Sequence, residues 1–220
     1  MALEQALREA LVEAGRGLYA LGMMAGAAGN LSARLDAERI LITPSGAAKG
    51  RLKPSDLLIT DEAGRLLEGE GRPSAETAMH TAVYRRFPQV MAVCHAHPIK
   101  AGALSAAHRP IPVDTMPEAL FAMGSIPCVP FIPSATPELG EAVAEALADA
   151  DGCLLFNHGA VTIGRSVEAA RNKMEILEAL AETAILTHTL GGAVPLPAAE
   201  VERLRGIWRQ RRWPSSPFGS

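Results

Sequence analysis

Apolar residues recur along the chain with two different periods. Over about 3–23 they return every three or four positions, which is typical of an amphipathic helix. The same spacing predicts further helices at 74–87, 99–108, 136–150, 166–190 and 198–213. Shorter apolar runs bounded by turn residues predict strands at 39–44, 56–60, 65–69, 90–97, 125–131 and 152–164. The last of these runs is interpreted as one buried strand that enters a turn.

The interleaving of strands and helices predicts one α/β domain over residues 1–220, with helices covering a sheet. Several connections are as short as hairpins, so we expect a mixed sheet rather than a purely parallel one. With 48% hydrophobic and 20% charged residues, the composition is that of a soluble globular protein. The segment at about 213–220 is predicted to be a frayed tail.

Residues that favour helix ends flank three of the predicted helices. Ser74 and Thr136 are each placed to cap a helix N-terminus, and Pro137 suits the first helical position after Thr136. The longest helix is predicted to begin at Ser166 and to end at Gly191 and its neighbouring glycine. These signals define the helices that border the candidate chemistry described below.

Charge and cysteine content exclude several classes of protein. A net charge of −3 gives no reason to expect a nucleic-acid partner. Acidic residues interrupt the N-terminal apolar pattern, so it predicts an amphipathic helix rather than a signal peptide, and no apolar run reaches membrane-spanning length. The three scattered cysteines indicate neither a disulfide framework nor a cysteine zinc site. We therefore expect a cytoplasmic protein with reduced thiols and no membrane contact.

Two histidines end the apolar run VMAVCHAHP at 90–98. Residues two apart on a strand project from the same face, so His95 and His97 could reach one cation, while Cys94 and Ala96 point the other way. Pro98 ends the pairing and places both imidazoles at the carboxyl end of the strand. The alternative is that each imidazole only forms hydrogen bonds in the core. The pair alone leaves both interpretations open.

A metal site needs at least a third ligand. His158 in LLFNHGAV is the natural candidate, since it ends an apolar strand and precedes a glycine that permits close backbone approach. His80 lies one helical turn after Glu76 and is either a further ligand or, as we favour, a hydrogen-bonding residue. His108 and His188 are expected at the surface. Three imidazoles leave one tetrahedral position open, as in catalytic zinc sites, although cobalt, manganese or iron also accept such ligands.

Glu76 and three turns have two interpretations each. An acidic residue in the first turn of a helix is favoured by the macrodipole alone, but Glu76 could also act as a general base beside a metal. The turns in AGNLSARL, TPSG and PSAE could direct N–H groups and hydroxyls at a phosphate. Neither a Walker nor a dinucleotide-binding fingerprint occurs. Taken singly, these turns support no substrate.

In order along the chain, the segments GNLSAR, TPSG, PSAE, CHAHP and NHGAV together resemble the class II aldolase/adducin family. The similarity is greatest to its L-fuculose-1-phosphate aldolase group and extends from the first helix to about Pro195. The resemblance implies a three-layer α/β/α domain with a central mixed, largely antiparallel sheet. It also implies a homotetramer with active sites between neighbouring subunits.

The resemblance assigns roles to individual residues. His95, His97 and His158 would hold one divalent metal per subunit, usually Zn²⁺. Glu76 would be the catalytic acid/base and a further metal ligand when no substrate is bound. The residues that would bind the substrate phosphate are Gly29, Asn30, Ser45, Gly46 and Ser74.

The implied activity is cleavage of a ketose 1-phosphate, similar to L-fuculose 1-phosphate, through a metal-stabilised enediolate. The products would be dihydroxyacetone phosphate and an aldehyde. Alternatives are a dehydratase or decarboxylase of the same family acting on another small phosphorylated sugar, or a non-catalytic metal-containing scaffold.

Two departures from the family pattern bear on the substrate. Ala75 replaces the usual second serine of the PSSE turn and removes one hydroxyl, so either phosphate binding is weaker or another donor such as Lys49 compensates. No tyrosine follows Tyr84, so the catalytic tyrosines of the fuculose-phosphate aldolases are missing. Both departures concern the substrate, and neither alters the predicted metal ligands.

Overall fold

The computed structural model describes residues 2–212, so the predicted frayed tail lies outside the described part of the chain. The strands are β1 (Asn30–Arg34), β2 (Arg39–Ile42), β3 (Leu58–Asp61), β4 (Leu66–Glu68), β5 (Ala92–Ala96), β6 (Cys128–Val129), β7 (Gly152–Leu155) and β8 (Gly159–Gly164). The α-helices are α1 (Ala2–Ala20), α2 (Thr77–Arg86), α3 (Ile99–Ala106), α4 (Pro117–Met123), α5 (Pro137–Ala146), α6 (Val167–Thr189) and α7 (Ala198–Arg212).

The strands form one eight-stranded open sheet in the order β4-β3-β2-β1-β5-β8-β7-β6. Every neighbouring pair is antiparallel except β6 and β7, which are parallel. The expectation of a mixed, largely antiparallel sheet is confirmed. Its centre is the β1-β5-β8 triplet, and this triplet carries most of the chemistry described below.

Helices cover both faces of the sheet, which confirms the three-layer α/β/α arrangement. Alternate residues of β5 face opposite layers: Cys94 belongs to the core beneath α1, α3, α4, α6 and α7, whereas Val93 belongs to the core beneath α2 and α5. The fully buried Tyr84 anchors α2 against the second face. No helix within residues 2–212 is both long and apolar enough to span a membrane.

The cap predictions have mixed outcomes. Thr136 Oγ1 accepts a hydrogen bond from Leu139 N at 3.3 Å, and Ser166 Oγ accepts one from Ala169 N at 3.0 Å, so both N-caps are confirmed. The prediction for Ser74 is wrong, because α2 begins three residues later and Glu76 occupies its N-cap position. Ser74 instead opens a tight turn in which Thr77 N donates to its carbonyl at 3.0 Å.

Two further boundaries differ from those predicted. Helix α1 ends at Ala20 rather than near residue 23, because the chain turns at Gly22, whose φ of +75° suits glycine. The segment 152–164 contains two antiparallel strands, β7 and β8, rather than one. His158 therefore lies in the hairpin turn between two strands, which brings it back over the sheet.

Candidate metal centre

The central strands bring the three predicted histidines together. His95 is on β5 and His97 follows it, while β8 runs antiparallel to β5 with Ala160 opposite Ala96. This register places the β7–β8 turn, and with it His158, at the end of β5. The imidazole centroids are 4.8–5.1 Å apart, and the candidate ligand atoms all lie within 4.8 Å of one another.

Glycine makes the close approach of the hairpin turn possible. A Cβ on Gly159 would lie 2.5 Å from Ala96 O and 2.8 Å from His97 Cδ2, so a side chain there would collide with the site. Ser105 on α3 supports the turn, since its Oγ donates to Leu155 O at 2.6 Å and accepts a bond from His158 N at 3.4 Å. The expectation that the glycine after His158 permits close backbone approach is confirmed.

The orientation of His95 follows from its backbone partner. Its Nδ1 lies 3.0 Å from Ala160 O, and because a carbonyl can only accept, Nδ1 carries the proton. Nε2 is then the ring atom that faces the cluster, 3.0 Å from His97 Nε2 and 3.1 Å from Glu76 Oε2. A backbone carbonyl that fixes the tautomer in this way is the usual support of a metal-binding histidine.

Glu76, the N-cap residue of α2, completes the cluster from the helix layer that His95 faces. Its Oε1 lies 3.1 Å from His158 Nε2, and its Oε2 accepts a 2.8 Å hydrogen bond from Asn30 Nδ2. Burial by itself would raise the pKa of the carboxyl group, but His158, His95 and Asn30 together hold that pKa well below its usual range. Glu76 is therefore an ionised carboxylate directed at the imidazoles.

A buried hydrogen-bond chain supports this carboxylate from behind. Asn30 Oδ1 lies 2.5 Å from His80 Nε2, His80 Nδ1 lies 2.6 Å from Ser32 Oγ, and that oxygen lies 2.8 Å from Tyr84 OH. Since Asn30 donates to Glu76 through its amide nitrogen, its oxygen must accept from His80, whose Nδ1 must then accept from Ser32. Burial lowers the pKa of His80 to about 3, so its imidazole is neutral. The chain thus runs in one direction, from Tyr84 to Glu76.

The positions of the other histidines agree with the sequence analysis. His80 forms hydrogen bonds on α2 and is not part of the imidazole cluster, which was the favoured interpretation. His108 and His188 are exposed, as expected. Sequence reasoning overlooked the roles of Ser32 and Tyr84 in the chain. Polar residues at 30, 32 and 34 alternate with apolar ones, which is typical of a strand. No strand was predicted from the sequence in this segment, which forms β1.

The donor set fits a divalent cation. Two buried polar atoms, Glu76 Oε1 and His158 Nδ1, have no hydrogen-bond partner within the described residues, so the 3.1 Å approach of Glu76 to His158 lacks hydrogen-bond geometry. Burial, then the neighbouring imidazoles, lower the pKa of His97 to about 4, which keeps its ring neutral and able to coordinate. The three imidazoles, with the Glu76 carboxylate 3.1 Å from two of them, could hold zinc or a similar metal.

The predicted phosphate turns lie beside one another. Ser45 N donates to Arg72 O at 2.9 Å, and Pro44 pairs with Pro73, so the TPSG and PSAE turns are adjacent. Gly46 has a φ of +73° and open space where a Cβ would stand. These contacts place Ser45, Gly46 and Ser74 in one neighbourhood.

The first predicted phosphate turn packs directly against β5. A Cβ on Gly29 would lie 2.8 Å from His95 O, so glycine permits this packing, and its φ of +72° also suits glycine. The side chain of the next residue, Asn30, is engaged with Glu76 and His80. That all five residues contact phosphate stays a prediction.

The fold and this constellation of imidazoles and carboxylate define a class of protein. The profile described as Class II Aldolase and Adducin N-terminal domain matches residues 9–185, and the chain belongs to this family. Enzymes of the family typically depend on a divalent metal, and the histidine triad could hold one.

Individual relatives show which activities occur among similar proteins. The chain is 35% identical over 191 residues to 3-oxo-tetronate 4-phosphate decarboxylase of Haemophilus influenzae, covering 85% of this chain and 89% of the relative. It is 39% identical over 181 residues to methylthioribulose-1-phosphate dehydratase of Methylococcus capsulatus, covering 77% and 88%. A solved L-fuculose 1-phosphate aldolase superposes with a TM-score of 0.86 at 28% identity, over 93% and 96% of the two chains. The family thus includes decarboxylases and dehydratases as well as aldolases, and its members act on phosphorylated sugars.

Proposed function

We propose that this protein is a divalent-metal-dependent lyase that forms an enediolate from a small phosphorylated sugar or sugar acid. The observation that carries the proposal is the ionised Glu76, which lies 3.1 Å from two of the three clustered imidazoles. A cation held by His95, His97 and His158 would polarise the substrate carbonyl as a Lewis acid. Glu76 would move the proton at the carbon next to that carbonyl, which requires hydrogen-bond reach.

Within this class, we infer that decarboxylation of a 3-oxo sugar acid phosphate suits the chain best. In that reaction the bond between the carboxyl carbon and its neighbour breaks, the electron pair passes toward the 3-oxo group, and neutral carbon dioxide leaves. One proton is then taken up at the carbon that lost the carboxyl group, within reach of Glu76, and dihydroxyacetone phosphate results. The similarity to the decarboxylase relative supports this choice.

The tyrosine content also favours decarboxylation over aldol cleavage. Aldol cleavage needs a group that removes the proton from the departing hydroxyl, whereas departing carbon dioxide needs none. The resemblance to the fuculose-phosphate aldolases implies a tyrosine for this purpose, but the chain has only Tyr19 and Tyr84. Tyr84 is fully buried, which raises its pKa, and its hydroxyl is committed to Ser32. Neither tyrosine occupies the C-terminal position of the aldolase pattern.

Two other reactions are candidates. Dehydration of a ketose 1-phosphate is supported by the dehydratase relative, and it too begins with removal of a proton next to a carbonyl. Cleavage to dihydroxyacetone phosphate and an aldehyde is supported by the structural similarity to the fuculose-phosphate aldolase. All three reactions use the same metal ligands and Glu76. They differ in what leaves the substrate.

Product analysis tests the proposal. Metal-reconstituted protein is incubated with a 3-oxo sugar acid phosphate and with ketose 1-phosphates, and carbon dioxide, aldehyde and dihydroxyacetone phosphate are measured. We expect carbon dioxide with dihydroxyacetone phosphate, and loss of turnover on chelation. Aldehyde release, or a dehydrated product, would assign the protein to one of the alternative reactions. Full turnover by a Glu76→Gln variant, or absence of stoichiometric metal, would remove the proposal altogether.

Three further properties belong to the same proposal. We infer zinc as the resident metal because three imidazoles suit it, and elemental analysis of purified protein tests this. A cytoplasmic homotetramer with sites between subunits is inferred from the family resemblance, and light scattering measures its mass. The phosphate ligands are proposed to be Gly29, Asn30, Ser45, Gly46 and Ser74.

A further inference from the structure

Lys49 is a buried cation that the reaction described above does not use. The residue is 2% exposed and lies in a short 3-10 turn, Lys49–Arg51, packed against α1. Its Nζ donates one hydrogen bond, to Ala27 O at 2.6 Å. Within residues 2–212, no carboxylate lies within ion-pairing distance of this nitrogen. The ammonium group has three donors, so two remain for another partner.

An ammonium group in this environment needs a counter-ion. Burial lowers the pKa of Lys49 to about 8, although the negative charge of Glu76 acts in the opposite direction. The side chain is therefore still mostly protonated at neutral pH. A buried charge without a compensating partner costs several kcal/mol, so such charges are normally paired. The described chain supplies one carbonyl oxygen and no anion, which indicates that the anion comes from outside it.

The surroundings of Lys49 indicate where that anion binds. Ala27, its hydrogen-bond partner, lies in the loop that leads to Gly29, and Lys49 itself follows the Ser45–Gly46 turn by three residues. The ammonium group thus joins the first and second predicted phosphate turns. The third turn is attached to the second through the bond from Ser45 N to Arg72 O. Gly46 leaves open space beside this junction.

The charge of Lys49 also acts on the metal centre. It contributes to the lowered pKa of His97, and Glu76 in turn acts on the pKa of Lys49. The loop that holds Lys49 also reaches the cluster, since Ala27 lies two residues before Gly29, where a Cβ would stand 2.8 Å from His95 O. This placement suits a small substrate whose carbonyl approaches the histidines while its anionic end approaches the ammonium group.

We propose that Lys49 binds the substrate phosphate and makes the site selective for phosphorylated over unphosphorylated substrates. This inference rests on the proposed function, since it names the group that recognises the anionic end of the substrate. Phosphate is a dianion near neutral pH, and a lysine ammonium binds it as a point charge. The ammonium would also provide a donor where Ala75 lacks the hydroxyl of the family's second serine.

Paired ligands that differ only in the phosphate test the inference. Binding of dihydroxyacetone phosphate and of dihydroxyacetone to metal-loaded protein is measured by calorimetry for wild type, Lys49→Met and Lys53→Met. Lys53 is the matched control, because it is exposed and its replacement makes the same charge change four residues away. We expect Lys49→Met to bind the phosphorylated ligand roughly 10- to 100-fold more weakly, with binding of dihydroxyacetone unchanged. Lys53→Met should resemble wild type.

Two results would overturn the assignment. Lys49→Met could bind dihydroxyacetone phosphate as tightly as wild type, or it could lose both ligands equally. If the variant binds dihydroxyacetone phosphate normally but its oligomeric mass changes, Lys49 would instead pair with a carboxylate of a neighbouring subunit. If the variant does not fold, wild-type protein with ¹⁵N-labelled lysine is titrated and followed by NMR. The Lys49 Nζ signal should shift with dihydroxyacetone phosphate and not with dihydroxyacetone. Absence of that shift would also reject the inference.

These measurements separate the inference from the proposed function, because none requires turnover. A protein that binds the phosphorylated ligand through Lys49 but converts none of the candidate substrates would retain the Lys49 assignment and lose the proposed reaction. A protein that decarboxylates its substrate but binds both ligands normally after Lys49→Met would retain the reaction and lose the assignment.

Discussion

At the scale of single residues, Asn30 links the carboxylate to the protein interior. Both atoms of its amide are engaged, one by Glu76 and the other by His80. The family resemblance assigns Asn30 to phosphate binding, yet in this structure its side chain orients the carboxylate. An amide held from both sides cannot rotate without leaving a buried polar atom unpaired. His80 therefore determines which amide atom faces Glu76.

This arrangement predicts the effect of changing His80. A His80→Leu variant leaves Asn30 Oδ1 and Ser32 Oγ with one hydrogen bond fewer, and we expect roughly 10- to 100-fold lower kcat with little change in KM. A His80→Gln variant should recover most of the loss, since its amide offers one donor and one acceptor. Steady-state kinetics on folded, metal-loaded variants measures both. Equal losses in the two variants would indicate a packing role only.

Gly159 predicts a second effect at the residue scale. An alanine Cβ would lie 2.5 Å from Ala96 O and 2.8 Å from His97 Cδ2, so Gly159→Ala should displace the His97 ring. We expect metal affinity to fall by at least about 10-fold, because ligand orientation controls affinity. Gly102→Ala is the control, since no atom lies within 4 Å of the position of its Cβ. Metal titration of both proteins decides, and equal affinities would contradict the predicted collision.

At the scale of elements, one buried acid links α7 to the rest of the domain in addition to its apolar contacts. Asp151 lies just before β7 and pairs with Arg212 Nε and Lys173 Nζ, each at 2.7 Å. Trp208 Nε1 donates to the same carboxylate at 3.3 Å. Arg212 also donates to carbonyls of the preceding turn, at Leu147 and Ala150. The acid thus joins α6, α7 and the sheet at a single point.

Removal of this acid should loosen the C-terminal helix. We expect Asp151→Ala to lower the free energy of unfolding by about 3–5 kcal/mol, because it leaves two partly buried cations without their carboxylate. Asp149→Ala, an exposed position two residues earlier, should change it by less than about 0.5 kcal/mol. Urea denaturation compares them. A similar small change in both variants would show that α7 is held chiefly by its apolar contacts.

At the scale of the whole molecule, the candidate metal site joins elements that are far apart in sequence. Glu76 comes from the start of α2, His95 from the central strand, and His158 from the β7–β8 turn. A ligand that binds only the folded arrangement stabilises it in proportion to its free concentration. Metal binding should therefore stabilise the entire domain.

We expect a zinc concentration about 100 times the Kd to stabilise the protein by about 2.7 kcal/mol, or roughly 5–10 °C in Tm. The increase should disappear with a chelator and in a His158→Ala variant, whose side chain lies in the candidate site. Differential scanning calorimetry with and without zinc measures it. A Tm that rises equally in wild type and variant would mean that zinc binds elsewhere.

Local pattern determined a large part of this protein. Strand alternation alone predicted that His95 and His97 share a face, and cap residues located the starts of α5 and α6. These features depend on neighbours within a few residues. The start of α2 was predicted wrongly because Ser74 can either form a turn or cap a helix, and the nearby residues do not decide between the two.

Tertiary structure decided how distant segments combine. The pairing of β5 with β8, more than sixty residues later, brings His158 to His95, and the pairing of β1 with β5 directs Asn30 toward Glu76. The family resemblance assigned roles to several of these residues. The hydrophobic periodicity, however, does not encode which strands become neighbours. That choice depends on burying both faces of the sheet beneath the helices at once. The sequence alone therefore determined most of the helices and strands and one pair of candidate ligands, whereas the fold brings Asn30, Glu76 and His158 together around them.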